Sequence, residues 1–132
     1  KDGNAYYNIA IPPVYSPYFY TNKNEWMENR RKILEPLFEN EKFQGRMKRL
    51  VDSSESLDER DNLHKINAPT LVVTCEYDFL VPKLEQEYLV KHIKNSHHVI
   101  VPTYGHGFMY EDPSMFITLL IGFVLSGGNV TV

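Results

Sequence analysis

The sequence predicts an α/β chain in which a helical segment precedes a strand, a helix, a second strand and a last helix of one parallel sheet. Residues 70–75 (TLVVTC) and residues 98–102 (HVIVP) are short apolar runs that are rich in β-branched side chains. Such runs are typical of strands that are buried on both faces, as in parallel sheets. A helical pattern follows each run, and this alternation indicates an α/β layer architecture.

The composition limits the classes of partner. The chain has 132 residues, 42% of them hydrophobic, and a formal net charge of −3, so we expect one globular unit without a nucleic-acid partner. The longest apolar run, residues 115–125, is shorter than the roughly 20 residues of a membrane span, so we expect no membrane partner. The single cysteine, Cys75, excludes an internal disulfide and fits a cytoplasmic protein. No motif for a cofactor or a metal stands out, and we expect neither.

The first part of the chain, residues 1–62, is predicted to be helical. Residues 11–20 (IPPVYSPYFY) hold three prolines, which predicts an extended, aromatic-rich stretch rather than a regular helix. The next helix is expected to be capped by Asn22 and Glu25 and to be kinked or restarted at Pro36. The apolar side chains predicted to share its inner face are Trp26, Ile33, Leu34, Leu37 and Phe38. Those predicted for the following helix are Phe43, Met47, Leu50 and Val51.

The second part, residues 63–132, is predicted to hold the two strands and their helices. A short helix that begins at residues 56–59 (SLDE) should lead into it. Pro82 is expected to open the helix after the first strand, and Asp112 and Pro113 the last helix. The side chains predicted to point inward from these two helices are Leu84, Tyr88, Leu89 and Ile93, and Met115, Phe116, Leu119, Leu120, Phe123 and Val124.

Two polar residues follow the two predicted strands. Asp78 lies just beyond the first, and His106, between two glycines, lies just beyond the second. If the strands are parallel neighbours, both residues stand at the carboxyl edge of the sheet, where open α/β sheets bind ligands. A carboxylate there can orient an imidazole, whose other nitrogen then acts as a general base. In the alternative interpretation, Asp78 only caps the next helix and His106 is an ordinary loop residue.

Residues 66–82 (INAPTLVVTCEYDFLVP) and residues 99–124 (VIVPTYGHGFMYEDPSMFITLLIGFV) resemble the C-terminal end of capped α/β-hydrolases of the esterase, lactonase and peptidase kind. The family pattern is a strand, Gly-x-x-Asp-x-x-x-Pro, a helix, a strand, then Gly-His and often Glu-x-Pro. The resemblance implies that Asp78 is the acid and His106 the base of a catalytic triad. Cys75 stands where the family has the glycine.

The resemblance also implies a partial α/β-hydrolase fold, with a helical cap-like segment at residues 1–62 and a core segment at residues 63–132. It implies a small-molecule substrate for the full-length parent. Glu111, Asp112 and Pro113 match the start of the family's last helix.

The nucleophile of the family is not recognisable here. It stands in Gly-x-Ser-x-Gly and precedes the acid and the histidine in the chain, whereas none of the seven serines of this sequence has that setting. We therefore expect a fragment, cut before its nucleophile and inactive by itself, of an enzyme that hydrolyses an ester, lactone, amide or activated C–C bond. The alternative is a non-catalytic hydrolase-like module that binds a ligand or a partner. The coding sequence upstream of Lys1 discriminates between them, and an aspartate in the serine's place would indicate epoxide or halide chemistry.

Other residues support weaker hypotheses. The spacing of His92, His97 and His98 matches no common metal motif, so they are interpreted as surface or strand-entry residues. Cys75 lies near Asp78, but a buried cysteine at a strand end is usually inert. The aromatic residues expected either to line a substrate pocket or simply to pack within the cap are Tyr15, Tyr18, Phe19, Tyr20 and Trp26.

An open strand edge predicts self-association. In the family, the strand at residues 70–75 has a neighbour on each side, and only one of them is present in this sequence. Unpaired backbone groups beside Leu71, Val72 and Val73 form a template for a second chain. We therefore expect a homo-oligomer held by strand pairing or by exchanged helical segments from residues 1–60.

Overall fold

The computed structural model describes residues 2–129 as a helical segment followed by two parallel strands with helices around them. The helical segment comprises α1 (Gly3–Ala10), α2 (Pro17–Asn22), α3 (Asn24–Glu39) and α4 (Glu41–Ser54). Then follow β1 (Thr70–Tyr77), α5 (Lys83–His92), β2 (Ser96–Gly105), α6 (Phe108–Glu111) and α7 (Pro113–Leu125). Two 3₁₀ turns, Pro12–Val14 and Arg60–Lys65, connect elements, and the second takes the place of the short helix predicted after residue 56. The predicted boundary at residues 62 and 63 falls inside that turn and stays a prediction.

Residues 11–20 are not extended, so that prediction was wrong. Pro12 and Pro13 begin a 3₁₀ turn, and Pro17 occupies the first position of α2. Proline is tolerated there because the first turn of a helix needs no backbone N–H donor for its own hydrogen bonds. The Ser16 hydroxyl caps α2 by accepting a hydrogen bond from the Phe19 amide at 3.2 Å.

The start and end of α3 also differ from the predictions. The N-cap is Lys23, which makes no side-chain capping bond, so the predicted box of Asn22 and Glu25 is absent. The helix does not restart at Pro36 but continues to Glu39. Pro36 removes the one hydrogen bond that an amide there would donate to the carbonyl four residues earlier, and α3 continues past this loss for three residues.

The core has two parts. The helical segment buries one aromatic-rich cluster, whose members are Tyr7, Ile11, Tyr15, Phe19, Met27 and Phe38. The other cluster joins the sheet to α6 and consists of Cys75, Val101 and Phe108, with Met115, Phe116 and Leu119 of α7 packed against it.

The predicted strands are present, parallel and longer than expected. β1 and β2 pair in register from Thr70 opposite Ser96 to Cys75 opposite Val101. Among residues 2–129 they form a two-stranded sheet, so β1 has a strand on one side only. The register then shifts, and Tyr77 lies opposite Gly105. This β-bulge carries β2 beyond the end that its apolar run predicts.

The flanking helices bury less than their patterns predict. Pro82 is the N-cap of α5 rather than its first residue, and Leu84 is exposed. Leu120 and Val124 of α7 are exposed too, because no other element in the described part of the chain covers that side of the helix. Within residues 2–129, no helix combines the length and the apolar character that crossing a membrane requires.

Candidate active site

The structure brings Asp78 and His106 together at the carboxyl edge of the sheet. Asp78 Oδ2 lies 3.0 Å from Nδ1 of His106. The aspartate side chain is buried, with 8% of its surface exposed, whereas the histidine side chain is 43% exposed. The contact that was predicted from the two strand ends is therefore present. The carboxylate is on the buried side of the contact, and the imidazole ring is accessible from solvent.

The two oxygens of Asp78 have separate roles in the local structure. Oδ1 accepts hydrogen bonds from the amides of Leu80 and Val81, at 2.9 and 2.8 Å. These bonds close the turn between β1 and α5 and hold the carboxylate in one orientation. Oδ2 remains for the imidazole. The alternative in which Asp78 only caps the next helix is wrong, because the N-cap of α5 is Pro82 and no side chain caps that helix. Oδ1 of Asp78 serves the preceding turn, and the predicted contact with His106 is present at Oδ2.

The β-bulge delivers His106 to this position. Thr103, within the bulge, has a φ of 70°, which is a strained conformation for a β-branched residue. Its amide donates a hydrogen bond to Glu76 Oε2 of β1 at 3.2 Å. Because the bulge makes β2 longer than β1 over the paired stretch, β2 reaches the level of Tyr77, the residue before Asp78, only at Gly105. The apolar pattern of the sequence contains no signal for this displacement.

The glycines on both sides of His106 are required by close packing. A Cβ atom on Gly105 would lie 2.5 Å from the Ser16 backbone nitrogen, and one on Gly107 would lie 2.8 Å from Cε1 of Tyr15. Both distances are shorter than real Cβ contacts. The connection between α1 and α2 of the helical segment therefore packs directly against the histidine loop, which explains the Gly-His-Gly sequence.

Two residues at this loop were missed by the analysis of the sequence. The Glu111 carboxylate accepts hydrogen bonds from the backbone amides of Ser16 and Gly105 and from the Ser16 hydroxyl. Glu111 was noted only as part of the start of the last helix. Ser16 lies 95 residues before it in the chain, and no local pattern signals a contact over that separation.

The pair has the arrangement needed for proton transfer. With Nδ1 held by a carboxylate, Nε2 is the nitrogen available to accept a proton, and the carboxylate stabilises the cationic ring that results. Within residues 2–129, Nε2 makes no hydrogen bond. An imidazole in this setting can act as a general base and then as a general acid.

Cys75 lies in the same region but is not a candidate nucleophile. Its side chain is buried in the sheet cluster. Burial, with smaller contributions from the nearby Asp78 and Glu111 carboxylates, raises the pKa of the thiol to about 11. At neutral pH the group is therefore a thiol, and only a thiolate is reactive.

Three of the other histidines, His92, His97 and His98, have other partners. His98 Nε2 lies 2.7 Å from the buried Thr74 hydroxyl, and His92 Nδ1 lies 2.8 Å from the Tyr88 carbonyl. The ring of His97 contacts that of Phe123. The residues that the structure describes contain no group of three metal-ligating side chains.

The aromatic residues of the helical segment divide into two groups. Tyr15 and Phe19 are buried, and their rings stack with centroids 5.3 Å apart. Trp26 packs edge-on against both of them, whereas Tyr18 and Tyr20 are exposed. The buried group packs the helical segment. The open groove of about 430 Å³ beside Tyr6 and Phe43 lies at α1 and α4, and neither Asp78 nor His106 lines it.

Comparison with known proteins gives a match that includes the site. A family model described as TAP-like protein, of the α/β-hydrolases, matches residues 38–128, which contain Asp78 and His106. Pyrrolizixenacetamide deacetylase of Xenorhabdus hominickii is 35% identical over 80 residues, which are 61% of this chain and 30% of the deacetylase.

Two solved structures have the same fold over almost the whole chain. MGS-M2, an α/β hydrolase enzyme from a Medee basin deep-sea metagenome library, is 44% identical, with a TM-score of 0.90 over 99% of this chain and 46% of its own. A thermophilic esterase from Thermogutta terrifontis is 21% identical, with a TM-score of 0.73 over 96% of this chain and 45% of its own. At that lower identity the likeness shows the fold alone. The chain thus spans about half the length of these two structures.

Proposed function

The chain belongs to the TAP-like protein family of α/β-hydrolases, and we propose that it supplies the acid and the base of a hydrolase active site. In this proposal Asp78 orients His106, and His106 activates a nucleophile that lies outside this sequence. The reaction is the hydrolysis of an ester, lactone, amide or activated C–C bond of a small molecule.

One observation carries the proposal. A buried carboxylate oxygen lies 3.0 Å from Nδ1 of an exposed imidazole, at the sheet edge where α/β proteins bind their ligands. The other carboxylate oxygen is held by two amides of the following turn. A carboxylate restrained in this way selects the tautomer with a proton on Nδ1, which leaves Nε2 as the base.

Each half of the proposed reaction requires two proton transfers through Nε2. His106 takes the proton of the nucleophile as it attacks the carbonyl carbon, and the Asp78 carboxylate stabilises the imidazolium. The same nitrogen then protonates the leaving alkoxide, amine or carbanion. Water repeats the sequence and releases the acyl group. The nucleophile is placed outside this sequence because none of the seven serines stands in Gly-x-Ser-x-Gly.

The comparisons support acyl-bond chemistry without deciding the substrate. One relative is a deacetylase by name, and MGS-M2, at 44% identity, is an α/β hydrolase enzyme. Specificity in such enzymes depends on the pocket between the cap and the core, and this chain spans about half the length of MGS-M2.

The test uses the full-length polypeptide that contains these residues and a panel of activated esters, lactones and amides. We expect Asp78→Asn to lower kcat by about 10⁴-fold, because it favours the wrong tautomer, and His106→Ala to lower it at least as much. His97→Ala is the matched control. His97 lies in β2, the strand that leads to His106, and contacts only Phe123 among the aromatic rings. The variant should retain activity.

The isolated 132-residue chain should not react with a serine-directed fluorophosphonate probe. Full activity of both site variants in the full-length polypeptide would contradict the proposal. It would favour a hydrolase-like module that binds a ligand or a partner without catalysis. Stoichiometric labelling of a serine in the isolated chain would contradict the placement of the nucleophile.

A further inference from the structure

We propose that Glu111 is a positioning residue for His106, because its carboxylate ties the histidine loop to the helical segment at Ser16. The inference rests on the proposed role of His106 as the base. It assigns to the helical segment a part in the geometry of the catalytic pair, in addition to any contact with substrate.

The carboxylate of Glu111 connects two distant parts of the chain. Oε1 accepts hydrogen bonds from the Ser16 amide at 2.7 Å and from the Gly105 amide at 3.0 Å. Oε2 accepts one from the Ser16 hydroxyl at 2.6 Å. Ser16 is fully buried, with 0% of its surface exposed. Hydrogen bonds to an ionised acceptor are roughly twice as strong as neutral ones, so this three-bond clasp is a firm link.

A second link holds the other side of the histidine. The Gly107 amide donates a hydrogen bond to the Val14 carbonyl at 2.6 Å. The backbone is therefore restrained at Gly105 by Glu111 and at Gly107 by Val14, with His106 between them. The close approach of Tyr15 and Ser16 to the two glycines leaves no space for the loop to move toward the helical segment.

The local helices do not need the Glu111 carboxylate. The N-cap of α7 is Asp112, whose Oδ1 accepts from the Met115 amide at 2.9 Å, and Oδ2 of Asp112 accepts from the Tyr104 hydroxyl. Glu111 lies at the end of α6, and its side chain makes its hydrogen bonds to Ser16 and Gly105 instead. Since a displacement of about 1 Å is enough to disable a catalytic group, a restraint on the residue adjacent to His106 bears directly on the contact with Asp78.

The experiment compares Glu111→Ala and Glu111→Gln with Tyr7→Phe in the full-length polypeptide. Glu111→Ala removes the clasp, whereas Glu111→Gln retains an acceptor oxygen and the shape of the side chain. Tyr7→Phe is the control, since it removes a buried hydrogen bond, to the Met27 carbonyl at 3.0 Å, within the same helical segment. The readouts are the downfield proton resonance of His106 Nδ1, amide exchange at Gly105 and Gly107, and kcat and KM separately.

We expect Glu111→Ala to abolish the Nδ1 resonance, to speed exchange of both amides and to lower kcat by about 10–100-fold, with KM changed by less than about threefold. Glu111→Gln should fall between this variant and the wild type. Tyr7→Phe should keep the resonance and the kcat of the wild type.

The proposal is overturned if folded Glu111→Ala and Glu111→Gln keep the resonance, or if Tyr7→Phe loses it to the same extent. Should Glu111→Ala fail to fold, Glu111→Gln decides by the same criterion. An inactive wild-type polypeptide would refute the proposed function but not the clasp, because the resonance and the amide exchange test the clasp without catalysis.

Discussion

The helical segment of residues 2–54 and the strands and helices of residues 70–129 differ in how completely they bury their apolar side chains. The helical segment encloses six residues in one aromatic cluster, and the rings of Tyr15, Phe19 and Trp26 contact one another in that cluster. In the second region three residues are buried in the cluster between the sheet and α6, and Val72 and Ile93 are buried outside it. The exposed apolar side chains of α7 are Ile117, Leu120, Ile121, Val124 and Leu125.

The helices of residues 2–54 can bury their apolar side chains against one another, whereas the sheet and its helices depend on further contacts to do so. Antiparallel or crossing helices can bury each other's apolar faces within about 50 residues of chain, because each contributes its own backbone hydrogen bonds. A parallel sheet buries both of its faces only when enough strands and helices are present. Asp78 and His106 lie in the less enclosed region, and the clasp from Ser16 ties their loop to the better enclosed one.

The largest effect is expected from a truncation in the aromatic cluster. Phe19 is 5% exposed and stacks on Tyr15, so Phe19→Ala should lower the free energy of unfolding by about 3–5 kcal/mol. Leu120 on α7 is 50% exposed, so Leu120→Ala should lower the free energy of unfolding by less than about 1 kcal/mol. Urea unfolding of both variants measures the difference. Equal costs would show that the face of α7 is covered.

The addition of a single methyl group at Gly105 should have the next largest effect on stability. In Gly105→Ala the new Cβ meets the Ser16 backbone nitrogen at 2.5 Å, and overpacking of this kind costs about 1–3 kcal/mol. Gly122→Ala is the control, because nothing lies within 4 Å of its added Cβ, and in a helix interior it should stabilise by about 0.5–1 kcal/mol. Thermal unfolding tests the pair. A neutral Gly105→Ala would show that the loop can move away from Ser16.

Self-association of the chain is a further test of the difference in apolar burial between the two regions. β1 has a strand on one side only among residues 2–129, and α7 exposes an apolar face beside it. We expect a dimer or higher oligomer with a largely apolar interface, which Ile121→Lys weakens at least tenfold, or about 1.4 kcal/mol. Ile33→Lys, at an exposed isoleucine of α3, should not weaken an oligomer that is held by strand pairing. Light scattering over a dilution series is the measurement, and a compact monomer at high concentration would refute the prediction.

The smallest change in stability is expected for a substitution at the bulge in β2. Thr103 has a φ of 70°, and Thr103→Gly relieves that strain but also increases the freedom of the unfolded chain. We expect a net stabilisation of less than about 1 kcal/mol. Thr118→Gly, within α7, should destabilise by about 0.5 kcal/mol. Chemical denaturation shows whether each substitution raises or lowers the free energy of unfolding. Destabilisation by both would mean that the Thr103 side chain contributes more to stability than its backbone strain costs.

The prediction of the two strands and the candidate pair required only local patterns. The β-branched runs identified β1 and β2, and parallel pairing then implied that Asp78 and His106 share one edge. The side-chain directions in α7 were predicted less well. Its pattern is apolar on several faces, so periodicity could not distinguish the face that packs on Phe108 from the face that carries Leu120 and Val124.

The sequence by itself determined the α/β order, the family resemblance and the two residues of the candidate pair, because these depend on short-range periodicity and on residue types at fixed spacing. Only the tertiary structure decided the bulge at Thr103 and the clasp between Ser16 and Glu111. Each of these depends on contacts between residues that are far apart in the chain or on backbone strain held by such contacts. Local propensity carries no information about them, because their free energy arises only when the separate segments meet.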